Sequence, residues 1–250
     1  MDPTTIIIVA VMAIVLVVML ICKKSMATSP MLQPILFLCV AIELGGVIYV
    51  IYNNVSGGSG SKGIINNQLA FYKSRGAIAG EFLKAKAAGK KLLLVANPGY
   101  DQSRMDQALI KALKDSFGEF DIDTIEVPPN AEEQGLMISD LMTNKTLDAL
   151  IDKHPDATAI AFLYGLPENP QRMKIFTKKD RPVIFLFEVG GAEGKWLVKQ
   201  LQSEVISGVI VSKRGVKHTE PAKRNDKDTF DVRYILVSKD NLEANKSFIE

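Results

Sequence analysis

Residues 91–104 of this chain read Lys-Leu-Leu-Leu-Val-Ala-Asn-Pro-Gly-Tyr-Asp-Gln-Ser-Arg. The run from 92 to 96 is short and continuously apolar, which is typical of a strand buried on both faces of a sheet. Pro98 lacks a backbone donor and Gly99 tolerates positive φ, so the strand must end there. Apolar residues return at helical spacing from Met105 onward. A strand, a glycine turn and a helix in this order predict the opening of a βαβ unit.

The same alternation continues to the end of the chain. Strands are predicted over residues 91–96, 120–127, 157–164, 182–188, 208–211 and 231–237. Helices are predicted over 67–86, 104–116, 135–153, 170–176 and 193–202, with a long charged loop over 213–228. Strands that alternate with helices favour an α/β fold with a doubly wound, mostly parallel sheet and right-handed crossovers.

The first quarter of the chain has a different composition. Residues 5–22 carry no charged side chain, and residues 31–52 carry only Glu43. At about 1.5 Å of rise per residue, either run can cross a hydrocarbon core of about 30 Å. We therefore predict a hairpin of two transmembrane helices over these ranges. Lys23 and Lys24 lie between them, and the positive-inside rule places this connection in the cytoplasm.

Glu43 is unusual within such a segment, because a carboxyl group at membrane depth is costly and generally faces another helix or a cavity. Gly45 and Gly46 would allow close backbone approach beside it. We predict that these three residues pack the two helices together or against another copy. In the alternative, Glu43 contacts a partner membrane subunit or carries a proton.

Composition then divides the chain into three parts. Residues 1–54 form the predicted membrane part, and residues 55–63, Val-Ser-Gly-Gly-Ser-Gly-Ser-Lys-Gly, read as a flexible linker. Residues 64–250 are enough for one α/β domain with a sizeable core. The predicted location is the inner membrane, crossed twice, with this domain on the periplasmic side.

Charge and cysteine content exclude several classes of function. The formal net charge is only +2, and no basic stripe with interleaved aromatic residues is present, so no nucleic-acid partner is expected. The only cysteines, Cys22 and Cys39, both lie in the apolar segments. With two histidines besides, the sequence predicts neither a disulfide framework nor a metal site, and no cofactor.

No catalytic motif is visible in the chain. The segment Gly190-Gly191-Ala192-Glu193-Gly194-Lys195-Trp196 superficially resembles a phosphate-binding loop, but its glycine spacing is too short and tryptophan stands where serine or threonine would hold magnesium. The turn after residues 91–96 lacks the spacing of a dinucleotide fingerprint. No nucleophile elbow, paired-histidine motif or Ser/His/Asp set is present. We therefore predict no catalytic residues.

Polar residues nevertheless gather where the predicted strands end. Ligands of open α/β sheets bind outside the carboxyl ends of the strands. The candidate residues for binding a ligand or a partner there are Tyr100, Asp101, Ser103, Arg104, Glu188 and Glu193. Arg104 could instead form a salt bridge at a helix start, and Glu188 could be a solvated turn residue.

Residues 67–248 resemble the C-terminal lobe of type I periplasmic sugar-binding proteins and of LacI-type repressors. Three segments carry the resemblance: 72–83 with Gly89 before the first strand, 102–113 after it, and 231–241 at the end. The resemblance implies a sheet lobe that binds a small solute. The chain departs from the family in having room for one lobe, in Tyr164-Gly165 where the family has Asn-Asp, in Glu188 where it often has aspartate, and in lacking a helix after the fifth strand.

Together these features favour a membrane-anchored, non-enzymatic binding or interaction domain on the outer face of the membrane, derived from a solute-binding lobe. It would be a subunit or sensor whose partners are the lipid bilayer and another membrane subunit or a second copy. The alternative is a receptor for a small polar solute such as a sugar, with its cleft completed by a second chain. An enzyme with an unrecognised site is the third possibility.

Overall fold

The computed structural model describes residues 3–25, 32–55, 59–131, 135–191, 194–217 and 219–249. The chain divides into two compact units, Met1–Asn67 and Gln68–Glu250. The first unit contains helices α1 (Pro3–Ser25) and α2 (Leu32–Val55), which pack against each other. Helix α3 (Ser59–Lys86) begins in the first unit and ends in the second. Residues 59–63, predicted as part of a linker, are therefore helical.

Across the part of the chain that the structure describes, no helix is both long enough and apolar enough to cross a membrane. The transmembrane hairpin predicted over 5–22 and 31–52 is thus not supported by the structure and stays a prediction.

The second unit is built on a six-stranded sheet in the order β2-β1-β3-β4-β5-β6. The strands are β1 (Leu92–Ala96), β2 (Asp121–Thr124), β3 (Ala159–Phe162), β4 (Val183–Leu186), β5 (Gly208–Ser212) and β6 (Tyr234–Val237). The first five run parallel, and β6 is antiparallel to β5. In the centre, Leu94 pairs with Ile122 on one side and Ala161 on the other. The predicted α/β class and mostly parallel sheet are confirmed.

Helices cover both faces of this sheet, because alternate strand residues point to opposite sides. Leu93 and Val95 join a core shared with α6 (Asn144–Asp152) and α7 (Gly194–Gln202). Leu92 and Leu94 join a second core shared with α3 and α4 (Arg104–Phe117). The remaining helices are short: α5 (Ile138–Leu141), α8 (Asp226–Arg233), α9 (Leu242–Asn245) and 3₁₀ turns at Pro170–Arg172, Lys174–Phe176, Lys239–Asn241 and Lys246–Phe248.

Helices α3 and α4 cross at very short range. A Cβ on Gly76 would overlap the Leu109 carbonyl oxygen and lie 3.0 Å from the Leu113 backbone nitrogen. Gly80, one turn further along α3, is similarly close to Ser116. The two glycines therefore set the distance between these helices.

Two segments of the second unit also differ clearly from their predictions. Residues 231–233 belong to α8 rather than to the last strand, so the helix after β5 is present although short. Asn225 begins it, because its side chain accepts a hydrogen bond from the Asp228 backbone N–H at 2.8 Å. Residues 135–153 form two helices instead of one, because Thr143 and Thr146 make a reciprocal cap that starts α6 anew.

Candidate binding site at the carboxyl edge of the sheet

The predicted residues that follow β1 serve different purposes. Ser103 is the N-cap of α4, and its hydroxyl accepts a hydrogen bond from the Asp106 backbone N–H at 3.2 Å. Tyr100 is half-buried and packs against the core beneath α4. Asp101 and Arg104 are exposed, and the Asp101 carbonyl accepts a hydrogen bond from the Gln107 side chain. Ser103 is therefore committed to the helix, whereas Asp101 and Arg104 face solvent.

Glu188 follows β4 and is held by an arginine from a distant part of the chain. Arg75 on α3 donates from Nη2 to the Phe187 carbonyl at 2.6 Å and to Glu188 Oε1 at 3.2 Å. The Arg75 side chain is only 5% exposed, whereas that of Glu188 is 50% exposed. A buried guanidinium thus fixes a carboxylate that still reaches solvent.

Two tyrosine rings hold the Arg75 guanidinium in place. Its central carbon lies 5.4 Å from the ring centre of Tyr72 and 5.2 Å from that of Tyr234. Burial raises the pKa of Tyr72, and the negative charge of Glu188 adds to this effect, although Arg75 opposes it. Arg75 Nε is buried and has no hydrogen-bond partner among the described residues. The guanidinium is therefore positioned by contacts with the two tyrosine rings and by the hydrogen bonds that Nη2 donates.

A second buried pair lies nearby in the fold. The Tyr164 hydroxyl donates to the Asp106 carboxylate, which is 6% exposed. Burial and the adjacent carboxylate together raise the pKa of Tyr164 far above its usual range, so this tyrosine remains a hydrogen-bond donor. Tyr164 occupies the position where the resembling family places Asn-Asp, and it contacts the protein itself.

An open cleft of about 650 Å³ lies beside these groups, after β3 and β4. Gly190 lines the cleft and lies against Gly165. Both glycines have positive φ, 64° and 76°, and a Cβ on Gly165 would lie 2.5 Å from the Gly190 Cα. Asn144 and Asn169 also line the cleft, and the Asn144 side chain donates to the Asn169 carbonyl at 2.8 Å. The polar side chains that line the cleft include Asp140, Thr143, Asn144, Tyr164, Glu168 and Asn169.

The predicted site residues do not form one connected group. Within the described ranges, no hydrogen bond or ion pair links residues 100–104 to Glu188. Glu193 lies outside the described residues. Sequence reasoning missed Arg75, Asp106 and Tyr164. A signal existed for one of them, because Ser103 and Asp106 stand three residues apart, as in a helix cap.

The predicted packing residues of the first unit also differ in their surroundings. A Cβ on Gly46 would lie 2.6 Å from Met12 Sδ, so this glycine lets α2 approach α1. Gly45 faces open space. Glu43 Oε1 is buried, and no described residue bonds to it.

The described residues contain no group of three or more His, Cys, Asp or Glu side chains placed to hold a metal ion. Two side-chain pairs at the carboxyl edge, Arg75–Glu188 and Tyr164–Asp106, are hydrogen-bonded.

Comparisons with known proteins give partial likenesses. No protein-family model matches this chain, and no curated protein matches its sequence. Among solved structures, it is similar to an ABC transporter solute-binding protein from Bradyrhizobium sp. BTAi1 with bound bis-tris, at a TM-score of 0.44 and 12% identity over 69% of this chain and 52% of that one.

Two further structures show a comparable likeness. One is a putative LacI transcriptional regulator from Bacteroides fragilis, at a TM-score of 0.40 and 12% identity over 69% of this chain and 61% of that one. The other is an ABC transporter solute-binding protein from Agrobacterium vitis bound to α-D-tagatopyranose. Its TM-score is 0.42 and its sequence identity is 14%, over 73% of this chain and 60% of that one. These are the two classes named by the sequence resemblance. This chain spans 52–61% of the length of each of these proteins.

Proposed function

We propose that this chain is a non-enzymatic binding protein whose α/β unit meets a protein partner through the carboxyl edge of its sheet. The observation that carries the proposal is the Arg75–Glu188 pair. Glu188 is half exposed, yet the buried Arg75 holds it in one position. A preorganised acceptor of this kind lowers the entropy lost when a partner binds.

A protein surface suits this edge better than an enclosed small molecule does. Good small-molecule sites bury most of the ligand's surface. The unit is a single lobe, and its cleft of about 650 Å³ opens to solvent. The partner would be another copy of this chain or a different membrane subunit.

Membrane anchoring is part of the proposal and rests on the sequence. Residues 5–22 carry no charge. Large apolar side chains on α1 and α2 are also exposed, among them Ile14 at 65%, Phe37 at 68% and Ile48 at 66%. An apolar environment such as a bilayer would cover them. The α/β unit would then lie on the outer face of the membrane. Protease added to intact spheroplasts should remove it, and full protection would reverse this topology.

Association is tested with the full chain in a non-ionic detergent. In one experiment, two differently tagged copies of the chain are co-purified. In the other, the tagged chain is purified from detergent-solubilised membranes together with the proteins bound to it. Glu188→Ala and Arg104→Ala should reduce recovery of the partner while lowering the free energy of unfolding by no more than about 1 kcal/mol, because both side chains reach solvent. Glu81→Ala, an exposed change on α3, is the matched control. A solitary chain in both experiments would refute the proposal.

A receptor for a small polar solute is the second candidate, because the cleft after β3 and β4 has the size of a ligand site and polar walls. A second chain would complete the enclosure. Calorimetry of the full chain against a panel of sugars separates the two candidates. Tight binding by the solitary chain would favour the receptor and count against the interaction surface.

A further inference from the structure

A second cleft lies at the opposite edge of the sheet, where β1, β3 and β4 begin. It has a volume of about 400 Å³. Its walls come from the residues just before the three strands, including Lys90, Thr158 and Arg181, and from the loop that carries Lys178. The strands run from this edge to the carboxyl edge, so this cleft is separate from the site described above.

The charges around the cleft do not balance. Lys90, Lys178 and Arg181 line it, together with Asp152 and Asp180. Asp152 is already paired with Lys174 at 2.6 Å. Three cations and one carboxylate therefore remain without an ion pair among the described residues.

The other charged groups at this edge are paired with one another. His154 also lines the cleft, but its Nε2 lies 2.9 Å from the Asp123 carboxylate. Lys91 contacts Asp121 at 2.9 Å and Asp156 at 2.7 Å. Nearby, Lys153 contacts Glu126 at 2.7 Å. The other carboxylates of this edge are thus committed, and after Asp180 is counted against the three cations the cleft keeps an excess of positive charge.

One of the three cations is held in place. Arg181 Nε donates to the Lys178 carbonyl at 2.8 Å, which fixes the guanidinium to the loop that forms the rim. Below the rim, Ile151, Ile160 and Ile175 line the cleft and are almost fully buried. The cleft therefore combines a basic rim with an apolar floor.

We propose that this cleft binds a small amphiphilic anion, with its phosphate or carboxylate head on Lys90, Lys178 and Arg181 and its apolar body on the isoleucine floor. The volume lies within the range of small-molecule sites. Guanidinium and ammonium groups form strong charge-assisted hydrogen bonds with such heads. An apolar body that enters the cleft buries its own surface beside the isoleucines.

The test is calorimetric titration of the full chain, in a non-ionic detergent, with hexyl phosphate. Hexanol, which lacks the charge, and inorganic phosphate, which lacks the apolar body, are titrated in parallel. The Lys90→Gln/Lys178→Gln variant removes two rim charges and leaves the Arg181 hydrogen bond intact. Lys145→Gln/Lys199→Gln makes the same charge change at exposed positions outside the cleft.

We expect hexyl phosphate to bind the unmodified chain and the control variant equally, and the rim variant at least about tenfold more weakly. Equal unfolding temperatures for the two variants would show that the rim variant is folded. An equal loss of affinity for hexyl phosphate in both variants would overturn the proposal, because it would reflect the change in net charge alone. Hexanol or inorganic phosphate binding as tightly as hexyl phosphate would also overturn it.

Discussion

Replacing Arg75 with methionine should destabilise the α/β unit, and the structure gives the size of the effect. The charged hydrogen bond to the Phe187 carbonyl is 2.6 Å long, and such bonds contribute roughly 1.5–3 kcal/mol. Contacts with the Tyr72 and Tyr234 rings add about 0.5–1 kcal/mol each. The ion pair with Glu188 adds about 1 kcal/mol at most, because Glu188 is half exposed.

Burial of the guanidinium opposes these gains. Arg75 Nε is buried without a described partner, and an unsatisfied donor costs about 1–3 kcal/mol. Methionine has a similar volume and no such cost, but it leaves the Phe187 carbonyl without its donor. Taken together, these contributions predict that Arg75→Met lowers the free energy of unfolding by about 2 kcal/mol.

Urea unfolding followed by Trp196 fluorescence measures this loss. Trp196 packs edge-on against Phe176 at 5.2 Å within the second unit, so its emission reports on that unit. Glu188→Gln is the matched control and should cost less than about 1 kcal/mol, because its side chain is half exposed. An Arg75→Met protein as stable as the unmodified chain would refute the reasoning, since the guanidinium would then contribute nothing to the fold.

Three further outcomes follow from other contacts. Gly76→Ala should cost about 1–3 kcal/mol in the same assay, because the added Cβ overlaps the α4 backbone. Glu81→Ala, at an exposed position on the same helix, should cost little. Tyr164→Phe should cost about 1–2 kcal/mol, since it leaves a buried carboxylate without its donor. Burial alone would raise the pKa of Asp123, but the His154 contact and a backbone N–H outweigh it and lower this pKa. As the pH falls below about 4, the unfolded chain binds a proton at Asp123 before the folded chain does, so the stabilisation from this carboxylate is lost. Asp123→Asn should therefore make the free energy of unfolding less dependent on pH below about pH 4.

The sheet was predictable because its strands carry strong local patterns. Residues 92–96 are apolar throughout and all five are buried. The last helix and strand were not predictable in the same way, because two sequence patterns compete at the end of the chain. Residues 231–233 alternate in a manner that suits a strand, but the helix that begins at the Asn225 cap runs through them. Arg233 ends this helix buried over the Phe71 ring, a contact between residues far apart in the sequence.

The candidate site was predictable only as a location. The sequence indicated that polar groups would collect at the carboxyl edge, and Glu188 is found there. The spacing of Ser103 and Asp106 is that of a helix cap, but a serine that caps a helix and one that binds a ligand are the same residue type, so the sequence left both uses open. Nor could it show that Arg75 reaches Glu188, because 113 residues separate them and only the packing of α3 on the sheet brings them together.

That long-range contact has a consequence for recognition. The position of the Glu188 carboxylate depends on α3 as much as on β4, because Arg75 bonds both the Phe187 carbonyl and the carboxylate. Helix α3 is continuous from Ser59 to Lys86, and Gly76, next to Arg75, lies against the α4 backbone. A displacement of α3 would therefore move the guanidinium away from β4 and release the carboxylate. The acceptor at the carboxyl edge is thus held by the packing of three elements, and a variant that loosens the α3–α4 crossing should weaken partner binding through Arg75 while leaving Glu188 itself unchanged.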